Sequence, residues 1–128
     1  MLFVCQHNAN RSQIAAAYLQ QLAGDRVPVR SAGPVPADAL NPVAVEVMAE
    51  DGIDIAGATP VQLTDAAVQD ADVVITLGCA DACPTYPDKR YEDWALDANG
   101  RHGIDGARHV RDPIKHHVHA LSADLPGR

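Results

Sequence analysis

Aromatic residues are scarce: one Phe, one Trp and three Tyr in 128 residues. A cleft that grips an aromatic group between rings has little to be built from. Positive charge is also short, with 10 Lys and Arg against 17 Asp and Glu, a formal net charge of -7 with histidines neutral. That balance argues against nucleic acid and against an anionic membrane surface as partners. No apolar run approaches the roughly 20 residues that cross a bilayer. The first apolar run, Met1 to Val4, breaks at Cys5 before a secretory core is reached. The expected compartment is therefore the cytoplasm. There the three cysteines point to catalysis or metal binding rather than structural disulfides. Repeats, linkers and low-complexity tracts are absent. The length suits one domain, residues 1–128, with a real core and no second unit.

What is present is concentrated in Cys5-Gln6-His7-Asn8-Ala9-Asn10-Arg11-Ser12. Met1–Val4 before it is too short for anything but a buried strand. From Ser12 to Ala23 apolar residues fall at Ile14, Ala15, Tyr18, Leu19 and Leu22, which is helical spacing. The residues between must form a loop that delivers backbone N–H groups to a helix N-terminus. Such a loop is a ready anion site. Its expected oxyanion contacts are Gln6, His7, Asn8, Ala9, Asn10, Arg11 and Ser12.

The residue types fit that use. A Cys beside a helix N-terminus and an Arg is favoured as the thiolate. Arg11 can hold a tetrahedral oxyanion with two parallel hydrogen bonds. Ser12 can donate its hydroxyl to the sulfur. Asn8 and Asn10 are the non-glycine residues best able to take positive φ, which a cradle of converging N–H groups needs. A nucleophile aimed at a bound oxyanion marks a phosphatase or an enzyme acting on a phosphate mimic. The bland reading is a buried Cys ending a strand and an Arg on a helix face. C-x5-R alone is common; the strand before, the helix after and the adjacent Ser tell against coincidence.

Further along, the first helix stops at Gly24, and Val27–Ser31 reads as a second strand with Pro28 marking an edge. Asn41-Pro42 caps a helix that runs to Asp51, with Val43, Val47 and Met48 inward and Gly52 just beyond. Thr64-Asp65 opens a short helix through Gln69. Val73–Leu77 is the clearest strand, continuous and β-branched, so buried on both faces. Arg90–Trp94 is a fourth strand. A last helix carries the stripe Ile104, Val110, Ile114, Val118 and Leu121, with Pro113 expected to kink it or mark its first turn. His109, His116, His117 and His119 read as a solvated face of that helix, not as ligands. Strands alternating with helices give an α/β fold: an open four-stranded parallel sheet with helices on both faces. Its ligand site belongs at the carboxyl ends of the strands, where the anion loop lies.

Cys79 and Cys83 directly follow the buried strand, on the same sheet edge as Cys5. Four-residue spacing puts both thiols on one helical face, and pairing them needs local unwinding. A thiol–disulfide relay from Cys5 to Cys79 to Cys83 is one reading. A zinc site helped by histidine and a pair of idle cysteines are the others; no metal is expected.

Several motifs together resemble the low-molecular-weight protein tyrosine phosphatase superfamily. These are Leu2–Cys5 with Asn8 and Arg11-Ser12-Gln13, then Ser31-Ala32-Gly33. Asn41-Pro42, Gly52-Ile53-Asp54, Val74–Leu77, Cys83-Pro84, Tyr91–Trp94 and Val110-Arg111-Asp112 extend the likeness to its arsenate reductase branch. The resemblance implies a phosphotyrosine phosphatase I-like fold and a definite chemistry. Cys5 attacks arsenate held by the loop and Arg11, and an Asp protonates the leaving oxygen. Cys79 attacks the Cys5 sulfur and releases arsenite, Cys83 takes over the disulfide, and thioredoxin reduces it. No cofactor is bound. Relatives carry Asp-Pro in the loop after the Trp, whereas this chain has Asp97 without a following Pro. Asp97 is the candidate acid, ahead of Asp93 and Asp112. The Cys79–Cys83 spacing is shorter than in three-cysteine relatives, and Cys79 follows Gly78, where the resolving Cys is expected. Alternatives are reduction through mycothiol and a redoxin using Cys5 alone, a true phosphatase, and an oxyanion binder without turnover.

Overall fold

The computed structural model describes residues 1–24, 28–77, 89–94 and 103–124. In chain order they form β1 (Leu2–Val4), α1 (Arg11–Ala23), β2 (Arg30–Ala32), α2 (Pro42–Glu50), α3 (Asp65–Asp70), β3 (Val73–Thr76), β4 (Arg90–Asp93) and α4 (Gly103–Asp124). The four strands make one parallel sheet in the order β2-β1-β3-β4. The chain leaves β1 for β2 on one side and later returns to β3 on the other. The carboxyl end of β1 is therefore the point where connections diverge, which opens a crevice there. Cys5 is the next residue.

Side-chain alternation divides the core. Leu2, Val4 and Val74 face one way and pack with Ala67 and Val68 of α3. Phe3 and Ile75 face the other way, among Ile14 and Leu19 of α1, Val47 and Met48 of α2, and Ile114 and Val118 of α4. With both faces covered, the strands need no polar alternation, which is why Val73–Ile75 reads as one continuous apolar run.

The helix starts follow their caps. Asn41 Oδ1 accepts the Val43 N–H at 3.0 Å, with Pro42 at the first helical position. Thr64 Oγ1 accepts the Ala67 N–H at 3.1 Å. After α2 the chain reverses through Gly52 at φ +76°, a conformation that disfavours a Cβ.

Some expectations are corrected. β2 is Arg30–Ala32 rather than Val27–Ser31, and it lies at the sheet edge, with Pro28 before it. Residue 27 is outside the described residues. In α2 the inward position is Ala44, fully buried, while Val43 is only partly so. Pro113 does not mark the first turn of α4, which runs through it from Gly103 to Asp124. The missing N–H and ring clash cost about 3 kcal/mol. Val110, Ile114, Val118 and Leu121 are all buried, at about 1.5–3 kcal/mol each, so burial wins. The side chain of Ile104 is outside the described residues. His109, His116 and His119 are exposed, but His117 stacks on Trp94 at 4.8 Å between ring centroids and 18° between planes.

A charged clamp joins α2 to α4. Glu50 accepts from Arg108 at 2.6 Å and from Arg111 at 2.7 Å, and Arg111 also donates to the Val47 carbonyl at 2.9 Å. Arg108, then Arg111, pull the Glu50 carboxyl down to about 2 from 4.5. A lowered carboxylate stabilises the fold above its unfolded value and loses that contribution as pH falls through the folded value. The clamp is therefore complete above pH 4.5 and lost towards pH 2. Thermal melts of the wild type and Glu50→Gln should differ at pH 7, and the difference should close between about pH 4.5 and 2. A gap constant across that window would mean the clamp contributes nothing. Asp51, also lowered, chiefly by its bond from Tyr18, remains in both proteins and cancels in the comparison.

Candidate functional site

The loop begins where β1 stops. Cys5 donates its N–H to the Ala32 carbonyl at 3.3 Å, and Leu77 donates to Val4 at 2.8 Å, so both neighbouring strands hold the entry. Segment 33–41 then grips the loop from outside. Val35 N–H reaches Gln6 O at 2.9 Å, Ala37 reaches His7 O at 3.0 Å, and Asn41 reaches Ala9 O at 2.9 Å. Three carbonyls that would repel an oxyanion are thereby occupied. Gly33 lies directly against the loop: a Cβ there would sit 2.5 Å from Cys5 O, 2.7 Å from Gln6 O and 2.9 Å from Asn8 N.

Asn8 takes φ +51°, as its residue type suggests. Asn10 does not: at φ -142° it is the residue before α1, and its carbonyl accepts the Ile14 N–H at 2.9 Å. A cap residue adopts non-helical, negative φ, so the cradle needs only one left-handed residue.

Cys5 is 7% exposed. Its Sγ lies 2.9 Å from Ser12 Oγ and 3.5 Å from the Ser12 N–H at the start of α1. Asn8 Nδ2 donates to Ser12 Oγ at 2.6 Å. A hydroxyl oxygen that accepts from Asn8 is free to turn its own hydrogen to the sulfur. Ser12 can therefore serve a Cys5 thiolate with two donors, its N–H and its O–H. Donors of this kind favour an anionic acceptor.

Cys5 lines a cavity of about 330 Å³ together with Gln6, His7, Ala9, Asn10, Arg11, Asn41 and Leu77. Arg11 is both a lining residue and the first residue of α1, so the positive end of the helix lies at the same cavity. His7 sits at the rim with Nδ1 2.8 Å from the Val35 carbonyl. A carbonyl only accepts, so Nδ1 carries the hydrogen. Among the described lining residues no benzene or indole ring appears.

Of the expected contacts, Gln6, His7, Ala9, Asn10 and Arg11 line this cavity with Cys5, whereas Asn8 and Ser12 are fully buried outside its lining, bonded to each other and, through Ser12, to Cys5. Cys79, Cys83 and Asp97 lie outside the described residues. Of the lesser acid candidates, Asp93 Oδ1 accepts from Thr76 Oγ1 at 2.6 Å, and Asp112 accepts from Arg111 at 2.8 Å on α4. Among the described residues no group of His, Cys, Asp or Glu is arranged to hold a metal. No helix among them is long and apolar enough to cross a membrane. Sequence reasoning missed Gln13 and the second role of Asn41. Gln13 is buried, and the two hydrogens of its Nε2 are shared among Asn8 O, Asn8 Oδ1 and Thr59 O at 3.1, 3.1 and 3.2 Å. Its only signal is a polar residue on the inner side of α1. Asn41, expected as a helix cap, also lines the cavity.

The chain is similar to an arsenate reductase of Bacillus subtilis, 41% identical over 102 residues, covering 77% of this chain and 73% of the relative. It is 33% identical over 128 residues to a glutaredoxin arsenate reductase of Synechocystis, covering 98% of this chain and 97% of the relative. Among solved structures it resembles a thioredoxin-dependent arsenate reductase of Corynebacterium glutamicum. That likeness has a TM-score of 0.83 and 44% identity, and covers 94% of this chain but only 58% of the other. Residues 1–126 match a single family description from the first strand to beyond the last helix. The strand, anion loop and helix around Cys5 thus sit in a frame shared along nearly the whole length, and the chain belongs to the low molecular weight phosphotyrosine protein phosphatase family.

Proposed function

We propose that this protein reduces arsenate to arsenite, with Cys5 as nucleophile and a redoxin as the source of electrons. The observation that carries the reading is Cys5, its sulfur within hydrogen-bond reach of the Ser12 N–H and Oγ, lining one cavity with Arg11. Arsenate has the charge and shape such a cradle accepts. The arsenate reductases among its relatives support the same substrate.

In this mechanism the Cys5 thiolate attacks arsenic and an As–O bond breaks, the leaving oxygen taking a proton from Asp97. The Cys79 thiolate attacks the Cys5 sulfur. The S–As bond breaks with its electron pair going to arsenic, which leaves as arsenite, and a Cys5–Cys79 disulfide remains. Cys83 attacks Cys79, frees Cys5 as thiolate, and leaves a Cys79–Cys83 disulfide. A redoxin dithiol reduces that bond and is itself oxidised. Relatives described as thioredoxin-dependent and as glutaredoxin arsenate reductase support a redoxin of this class.

The test is NADPH consumption with arsenate, thioredoxin and thioredoxin reductase, comparing wild type with Cys79→Ser and Cys83→Ser. Turnover only in wild type is expected. Turnover restored in both variants by mycothiol and its redoxin would place the electron route outside the chain. Hydrolysis of an aryl phosphate with no arsenite formed would make the protein a phosphatase.

A further inference from the structure

We propose that Gln13 is a positioning residue for Cys5: its side-chain amide sets the direction of a hydrogen-bond relay that runs through Asn8 and Ser12 to the sulfur. The inference rests on Cys5 as the reactive group of the proposed reaction, not on which oxyanion it attacks.

The direction of each bond as far as Ser12 follows from groups that cannot reverse. Gln13 Nε2 lies 3.1 Å from Asn8 O and 3.2 Å from Thr59 O. Both are backbone carbonyls, which only accept, so the nitrogen and not the oxygen of Gln13 must face them. The same nitrogen lies 3.1 Å from Asn8 Oδ1, sharing with it the hydrogen that meets Asn8 O, and the Val61 N–H reaches Oδ1 at 2.8 Å. Two donors converge there, so the Asn8 amide is fixed with its oxygen towards them. Its nitrogen is left for Ser12 Oγ, at 2.6 Å. A Cys5 thiolate, the form that the proposed reaction uses, can only accept, so Ser12 Oγ then gives its hydrogen to Sγ at 2.9 Å.

Gln13 does more than orient one amide. By holding the backbone carbonyl of Asn8 it secures the one non-glycine residue at positive φ among those described. By holding Thr59 it keeps Val61, two residues on, in place to donate to Asn8. Gln13, Asn8 and Ser12 are all buried, so a lost bond is not replaced by water.

Iodoacetamide labelling of the full chain, read at Cys5 by peptide mass spectrometry at neutral pH, tests this. Gln13→Met keeps length and volume, and Gln13→Glu keeps shape but replaces the donor. Each should slow Cys5 labelling about tenfold, the effect of losing one buried hydrogen bond in a charged network. In Asn8→Gly, which tolerates the left-handed backbone but cuts the relay downstream, adding Gln13→Met should change the rate little. Labelling of Gln13→Met at the wild-type rate, or effects of Asn8→Gly and Gln13→Met that multiply, would overturn the proposal. If Gln13→Met does not fold, NMR of the wild type decides: slow solvent exchange of the Gln13 and Asn8 side-chain amide protons is required, and rapid exchange of either overturns it. Labelling needs no substrate. A wild type that labels as expected yet forms no arsenite would fail the functional reading and leave this one standing.

Discussion

Cys5→Ser should abolish arsenate reduction, with a fall in kcat of at least about 10⁴, the scale lost when a covalent nucleophile is removed. Arsenate binding should persist within about threefold, because the cradle that binds it is built from other groups. The separation follows from the geometry. Arg11 and the loop backbone line the cavity independently of the sulfur, and the loop carbonyls stay tied to segment 33–41 whatever stands at residue 5. A serine hydroxyl beside Ser12 Oγ can share the same hydrogen bond but does not ionise near neutral pH, and its oxygen cannot carry a disulfide. Isothermal titration with arsenate and the coupled NADPH assay, run on one preparation, give the two numbers. A serine variant that keeps more than about one hundredth of wild-type turnover would remove Cys5 from the reaction. One that loses binding along with turnover would show that the sulfur itself holds the anion.

The parts of this site that were legible in the sequence are local ones. Strand, loop and helix around Cys5 show in a change of hydrophobic period, and the caps Asn41 and Thr64 announce themselves by residue type and position. The left-handed Asn8 is legible for the same reason, since its conformation is a property of its own side chain. Asn10 misled because residue type alone does not say which Asn turns and which caps. What was hidden depends on residues far apart in the chain. The Gln13–Thr59 bond spans 46 positions and the Arg111–Glu50 pair 61. Neither partner has a pattern that points to the other. The stacking of His117 on Trp94 is hidden in the same way, since the two residues are far apart in the chain and only the fold brings their rings together.

Gly33 is the sharpest case of such a hidden constraint, and Gly33→Ala carries the second large effect. Its expected consequence is a loss of about 10² in kcat/KM, the scale of a 1 Å misplacement of reacting groups. Strain should cost about 1–3 kcal/mol of stability. The added Cβ would meet Cys5 O at 2.5 Å, Gln6 O at 2.7 Å and Asn8 N at 2.9 Å, all of them backbone atoms of the anion loop. No side chain can swing aside to admit it. Nor can Gly33 retreat, because its N–H donates to Val61 O at 2.9 Å and its carbonyl accepts from Leu63 at 2.8 Å. Backing away would break both bonds and pull on Val61, which donates to Asn8 Oδ1. The loop must therefore move, and Cys5 and Asn8 move with it. Gly57→Ala is the control: nothing lies within 4 Å of its added Cβ, so both activity and melting temperature should stay near wild type. Steady-state kinetics and thermal melts of the two variants separate the effects. Full activity in Gly33→Ala would mean that the loop yields by half an ångström or more without losing its aim, and that contact with Gly33 does not set the position of Cys5.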